Sequence, residues 1–330
     1  MRLRTALLAL PLLIGAAGGL AWLVLAPAPA MRSGPLVVDI PAHEGLRGIV
    51  EQLSEAGVIR SRVAFLGLAA LRGSVRRLKA GEYEVPRDAS TLDVLDLLES
   101  GHVRQHVILH PEGATVSELA RALEAERLAS ADQVIRAAGD ERLRHALGVE
   151  GPSVEGYLFP DTYQFVRGMS VDEMLSRMVQ RMRGKLTPEL VARARARGLS
   201  VHQLLTLASI IEREAIDPEE RRLISAVFWN RLRLDMPLQA DPTVQYAVAK
   251  ERRALTRADL ASDNAYNTYV HRGLPPGPIA SPGLAAIEAA LDPAPVKFLY
   301  FVARDDRRHH FSTTVAEHNA AVVRYRLSRR

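Results

Sequence analysis

Residues 36–59 read LVVDIPAHEGLRGIVEQLSEAGVI. The first five form a β-rich run that enters a Pro/Gly turn, and apolar residues then recur at Leu46, Ile49, Val50 and Leu53. That change of period predicts a strand followed by an amphipathic helix. Residues 78–101, LKAGEYEVPRDASTLDVLDLLESG, repeat the form: a short strand, a turn, then a helix capped by Ser90 or Thr91 and closed by Gly101. Strands alternating with short helices predict a small α+β module over residues 36–110 and an α+β class for the whole chain.

In size and order of elements the module resembles the LysM-like modules of cell-wall proteins, which implies glycan binding; a plain spacer domain has the same pattern, since a fold alone does not fix a function. Within the module His102, His106 and His110 are spaced by four, as metal ligands on a helix can be. The stretch HVRQHVILH is rich in β-branched residues and lies between Gly101 and Pro111, so it reads as a strand. Histidines spread along a strand are too far apart to share an ion, and no metal site is expected.

Upstream, Arg2 and Arg4 precede TALLALPLLIGAAGGLAWLVLA, residues 5–26, a run without charge. At about 1.5 Å per residue it reaches about 33 Å as a helix, enough to span a bilayer. The expected order is a short tail (1–4), an anchor through the lipid bilayer (5–26) and a Pro/Ala linker (27–35), with the N-terminal arginines on the cytoplasmic side of the inner membrane and the rest of the chain outside it. An Ala-x-Ala pattern at 28–30 leaves a cleaved signal peptide open, as does a buried core helix, but the apolar run is longer than a usual signal peptide requires.

The 330 residues hold 48% hydrophobic and 25% charged residues, an ordinary globular composition. The net charge of +5 is carried by arginines scattered through helical segments rather than gathered in a block, so nucleic acid is not an expected partner, and an anionic envelope surface accounts for the balance equally well. There is no cysteine, which excludes disulfides and thiolate chemistry. Residues 111–330 are expected to form one mixed α+β domain, mostly helical from 112 to 200 and broken by an aromatic loop, EGYLFPDTYQF, at 155–165. Tyr157 and Asp161 make that loop either a core plug or a wall on which a sugar can stack.

The predicted helix VHQLLTLASIIEREA (201–215) ends in Glu212 and Glu214. Residues two apart on a helix do not face each other, so the two carboxyls cannot form one acid/base pair. An apolar stripe of Leu204, Leu207, Ala208, Ile211 and Ala215 leaves both at its borders, and periodicity does not choose. Surroundings favour Glu214, which lies near the bulky Leu207 and Ile210 and can therefore hold a proton near neutral pH. Glu212 reads as an exposed carboxylate beside Arg213, and an exposed Glu-Arg-Glu helix end is the plain alternative for the pair.

Five further segments follow in order: ISAVFWNRL (224–232), PLQADPTVQYA (237–247), AYNTYVHRGLPPGPIASPG (265–283), FLYFVA (298–303) and HHFSTTVAEHN (309–319). Together with EGYLFPDTY and LASIIERE they resemble the YceG-like family, the endolytic murein transglycosylases, over nearly the whole chain. The resemblance implies cleavage of the MurNAc–GlcNAc β-1,4 bond inside peptidoglycan glycan strands, leaving a 1,6-anhydroMurNAc end. It further implies an association with wall-synthesis enzymes and a catalytic glutamate at the second position of Glu-x-Glu, here Glu214; no phosphate-cradling Gly loop or metal-ligand cluster appears in the sequence, so no cofactor is expected. One glutamate suffices when the MurNAc 6-hydroxyl is the nucleophile.

The other motifs read as the surrounding cleft. Gln239, Thr243, Gln245 and Tyr246 offer neutral donors and acceptors suited to N-acetyl and hydroxyl groups, and Tyr266, Asn267, Thr268 and Tyr269 form an amphipathic set able to stack on a sugar, or else a tyrosine-rich core segment. Asp241 fits the cleft or an Asp-Pro turn; as a second carboxylate it would instead serve a muramidase that uses water. Asn230 and Arg231 read as structural. A silent peptidoglycan-binding scaffold is the third class of function the sequence allows.

Overall fold

The computed structural model describes residues 15, 18–28, 36–41, 44–250, 253–305 and 308–327. They divide into two compact units, one of residues 1–107 with 164–169 and one of residues 108–163 with 170–330.

The first unit runs β1 (Leu36–Ile40), α1 (Leu46–Glu55), α2 (Arg62–Leu71), β2 (Gly81–Val85), α3 (Thr91–Ser100) and the start of β3 (Gln105–His110). β1 and β2 pair antiparallel, with Leu36 opposite Val85 and Ile40 opposite Gly81. The predicted helical stripe is the buried one: Ile49, Val50 and Leu53 of α1 join Phe65, Tyr83, Leu95 and Leu98 in one core. Burying each large apolar side chain here contributes about 1.5–3 kcal/mol. α3 starts at Ser90, whose side chain accepts from the Asp93 N–H while Asp93 accepts from the Ser90 N–H; it stops at Gly101, in the left-handed conformation at φ 70°. The helix α2 was not anticipated. RVAFLGLAAL is apolar on all sides, which hides its period, and it buries Ala64, Phe65 and Ala69 while Val63 and Leu71 stay exposed.

Most of the apolar run 5–26 lies outside the described residues; its described end, 18–25, is helical. Among the described residues no helix is long and apolar enough to cross a membrane. This end is tied to the module: the Arg60 guanidinium lies 4.1 Å above the Trp22 ring and donates to Ala26 O, and the Thr91 hydroxyl donates to Leu23 O at 3.1 Å. β3 alternates exposed and buried residues, so His106 and His110 share its buried face, whereas His102 lies before it. His106 Nε2 lies 2.5 Å from Glu82 Oε2, a buried pair that has Arg104 and Arg167 near the other Glu82 oxygen.

The second unit continues with α4 (Val116–Ala125), α5 (Ala131–Gly139), α6 (Glu141–Ala146), the first half of β4 (Asp161–Val166), α7 (Val171–Lys185), α8 (Pro188–Ala196), α9 (Val201–Glu214), α10 (Arg221–Arg233), α11 (Asp241–Ala247), α12 (Arg257–Leu260), α13 (Leu284–Leu291), β5 (Tyr300–Ala303), β6 (His309–Ser312) and α14 (Val315–Leu327). β4 pairs with β3, so the later half of the expected aromatic loop is a strand, and β5 pairs antiparallel with β6. Reciprocal Ser/Thr caps at Thr115, Ser130 and Ser200 start α4, α5 and α9.

α9 is the central helix. Every residue from Leu204 to Ile211 is buried, so its contact surface is wider than the single stripe read from the sequence. It packs on α13, whose Ala286, Ala289 and Ala290 permit close approach, and also on α8, α10 and α11. A helix enclosed in this way is a rigid mount for whatever its C-terminal turn carries.

Candidate active site

Glu214 is the last residue of α9 and keeps partial access to solvent. Burial first, and the Asp241 carboxylate second, push its carboxyl up to about 8 against the opposing charge of Arg213. Asp241 opens α11 ahead of Pro242, which is tolerated in the first turn because the N–H it lacks would have no partner inside the helix there. Its Oδ1 accepts from the Tyr269 hydroxyl at 2.6 Å. That phenol is itself held protonated, by burial first and by its bond to Asp241 next. Tyr269 and Asp241 are thus hydrogen-bonded, and the charges of both carboxyls, Glu214 and Asp241, act on each other and on that phenol from three separate segments. The neighbour that most perturbs Glu214 after burial is an acid rather than the apolar residues of its own helix.

Beneath this group the segments are locked together. Ala240 N–H donates to Thr268 Oγ1 at 3.0 Å, the Thr268 hydroxyl lies 2.8 Å from that of Thr243, and Thr243 donates to Ala240 O at 2.7 Å. Asn267 donates to Leu260 O and Ser262 O and accepts from the Tyr269 N–H. Thr243, Asn267 and Thr268, expected along the cleft, are fully buried and spend their polar atoms on this framework. Gln239 is exposed, with a left-handed φ of 51°; its amide oxygen accepts from Arg231 Nη1 at 3.0 Å. The buried Arg231 guanidinium also donates to Pro237 O, Leu238 O and Leu299 O, so it holds the approach to Asp241 in shape.

Tyr246 and Tyr266 meet at 4.9 Å between ring centroids, tilted by 52°. Three of the expected residues make their hydrogen bonds elsewhere. Gln245 donates to Arg253 O, Asp161 accepts from Arg181, and the Tyr157 hydroxyl donates to His202 Nδ1 at 2.9 Å.

α9 also carries groups whose partners lie far along the chain. His202 Nε2 donates to Pro276 O at 2.8 Å, Ser209 Oγ accepts from the Ile279 N–H at 3.0 Å, and Glu212 accepts from the Gly283 N–H at 2.9 Å. Contrary to its expected exposure, the Glu212 side chain is only 6% accessible, and it pairs with Arg221. Glu112 stands against Gly283, close enough that a Cβ there would collide with its carboxylate, and burial followed by the Glu212 charge raises the Glu112 carboxyl. Polar residues such as Ser209 inside an apolar helical run were the available signal, but nothing local names their partners, which lie about 70 residues away.

The sequence profile of the YceG-like family matches residues 38–324. The chain belongs to the YceG-like family. A crystal structure of a YceG-like protein of Listeria monocytogenes aligns with a TM-score of 0.61 at 32% identity, over 86% of this chain and 97% of that one. A relative in Bacillus subtilis named endolytic murein transglycosylase is 34% identical over 304 residues, covering 87% of this chain and 84% of the relative. One of the same name in Streptococcus pneumoniae (strain D39) is 30% identical over 310 residues, 84% of this chain but 56% of that longer protein. The YceG-like match runs through both units and includes Glu214, Asp241 and Tyr269.

Proposed function

We propose that this protein is an endolytic murein transglycosylase in which Glu214 acts first as acid and then as base. The observation that carries the reading is the carboxyl at the end of a rigid helix, held protonated up to about pH 8 by burial and by Asp241. The protonated carboxyl gives its proton to the glycosidic oxygen as the bond from C1 of MurNAc to O4 of GlcNAc breaks. The 6-hydroxyl of the same MurNAc then bonds to C1, and its proton passes to the Glu214 carboxylate. The ring closes to the 1,6-anhydro sugar, the acid is regenerated, and no water is consumed. The Asp241 carboxylate, oriented by Tyr269, faces the positive charge that develops at C1 and favours the protonated form of Glu214 between cycles.

The relatives named endolytic murein transglycosylase support the reaction class, and the electrostatic influence of Asp241 on Glu214 supports the chemistry. The same pair gives a second reading specific support, since an inverting or retaining muramidase also uses two carboxyls. Digestion of purified murein by the full-length protein, with mass analysis of the fragments, separates them. Internal cuts with anhydro ends are expected; reducing ends would replace the reaction by hydrolysis, and no release would remove catalysis altogether. The uncharged run 5–26 supports attachment to the membrane, with both units on its outer side beside the wall and its synthetic enzymes. Retention of the full chain in the membrane fraction through a high-salt wash is expected, and a soluble mature form starting near Met31 would refute it.

A further inference from the structure

Where the C-terminal ends of α8 and α10 meet the segment 293–297, the second unit has a cavity of about 320 Å³. Three cations line it, Arg197, Arg233 and Lys297, and no Asp or Glu does among the described residues. Apolar surface from Trp229 and Pro295 makes up part of the wall. The indole is fixed by its Nε1–H, which donates to Ala290 O at 2.8 Å, and the Arg197 guanidinium lies 5.8 Å from the ring centroid. Arg233 donates to Asn230 Oδ1. The acid nearest in the chain, Asp292, is taken by Arg222 at 2.8 Å, and none of the three cations pairs with a carboxylate among the described residues. Arg197 follows α8 and Arg233 ends α10, and helix C-termini favour cations by themselves. Lys297 belongs to no helix, so the helix dipoles do not account for the third charge.

We infer that this cavity binds a carboxylate of the acidic peptide stem that murein strands carry on MurNAc. The inference rests on the proposed reaction for its substrate. Guanidinium groups take carboxylates in a planar, two-bonded fashion, and three cations without an internal anion leave the balancing charge to come from outside. The apolar wall decides between acidic ligands. The small alanyl side chains of a stem can lie on the Trp229 ring and Pro295, whereas a phosphate has no apolar part to cover them. The position of the cavity gives the contact its consequence. Asn230 donates to Val296 O at 3.0 Å and to Phe298 O at 2.8 Å, while the next residue, Arg231, donates to Leu299 O and to the Gln239 amide oxygen ahead of Asp241. Val296 and Leu299 are at most about 11 Å apart along the chain, so one pinned segment serves both the cavity and the approach to Asp241. Stems occur only on MurNAc, and a held stem therefore fixes which of the alternating glycosidic bonds comes opposite Glu214.

The test uses the full-length Glu214→Gln protein in detergent, so that strands bind without turnover, and calorimetry with murein strands that either bear their peptide stems or have been stripped of them by an amidase. Stem-bearing strands are expected to bind about tenfold more tightly. Lys297→Glu and Arg233→Gln, both at exposed positions, are each expected to remove most of that difference while affinity for stripped strands stays the same. Equal affinity for the two kinds of strand would overturn the inference, and so would a preference that survives in both variants with native circular dichroism. A second measurement needs no cavity variant: chemical amidation of the stem carboxylates should abolish the preference, and amidated stems that bind as tightly as acidic ones count equally against it. Inorganic phosphate is the competing probe; if it binds and is lost in Lys297→Glu while stems make no difference, the cavity belongs to a phosphate and the carboxylate reading is overturned. If stems bind as expected but the wild-type protein leaves no anhydro ends on murein, the cavity keeps its ligand and the proposed reaction fails.

Discussion

Replacing Glu214 by Gln preserves volume and hydrogen-bonding shape while removing the transferable proton. With its carboxyl at about 8, the residue is protonated in about nine molecules of ten at pH 7. An ordinary glutamic acid at about 4.3 would be protonated in only about two per thousand. Burial together with Asp241 therefore enriches the acid form by a few hundredfold, and general acid catalysis is worth about 10²–10⁴ in rate. Release of anhydro-muropeptides by Glu214→Gln should fall by at least about 10², and the wild-type rate should decline as the pH rises through about 8, where the proton is lost. A second readout follows from linkage. The folded-state value lies above the unfolded one, so ionisation opposes folding: wild-type stability drops as pH rises from about 4.3 towards 8 and stays reduced above it. Glutamine carries no such cost. The variant should resist denaturant better than wild type at pH 9, by about 2 kcal/mol once the side chain's partial access to water is allowed for, and the difference should vanish near pH 4. Near-normal release by the variant, or a stability difference independent of pH, would refute the assignment.

Three further outcomes are expected. Asp241→Asn removes the charge that helps Glu214 keep its proton, so the alkaline fall in murein cleavage should move to lower pH while the products keep anhydro ends; an unmoved profile would separate the two groups. Glu212→Gln keeps an acceptor for the Gly283 N–H but leaves Arg221 without its buried anion, and chemical denaturation should register a loss of about 1–3 kcal/mol with the products unchanged in kind; a neutral effect would mean that Glu212 is as dispensable as its sequence suggests. Ser209→Ala leaves the buried Ile279 N–H without its acceptor and should cost about 1–3 kcal/mol in the same assay, with no cost if the segment simply relaxes.

Much of this was legible beforehand because the signals were local. The strand and helix beginning at Leu36, the capped helix at Ser90 and the helix ending at Glu214 each carry their period and caps in the sequence. The helix Arg62–Leu71 was not, since uniform apolarity leaves no period to read. Around the site, the residue types at Glu214, Asp241 and Tyr269 were visible, but not that Tyr269 holds Asp241 across 28 positions or that Glu212 turns inward to Gly283. Long-range pairing of this kind is a property of packing. For the same reason Thr243, Asn267 and Thr268 looked like ligand contacts: polar side chains that bind a neighbouring backbone and those that bind a sugar are the same residues in a sequence.

The three contacts that α9 makes with Pro276, Ile279 and Gly283 constrain how the protein can vary. Loops ordinarily absorb insertions and deletions because their backbone groups are met by water. Between 276 and 283 the backbone is instead met by His202, Ser209 and Glu212, which lie along one side of a helix. The two spacings, three and four residues on the irregular segment against seven and three on the helix, are matched like teeth on a rack. A single extra residue between Pro276 and Gly283 would displace at least one tooth. This stretch without regular secondary structure should therefore be as fixed in length as a core strand, and freedom to lengthen must be sought elsewhere in the chain.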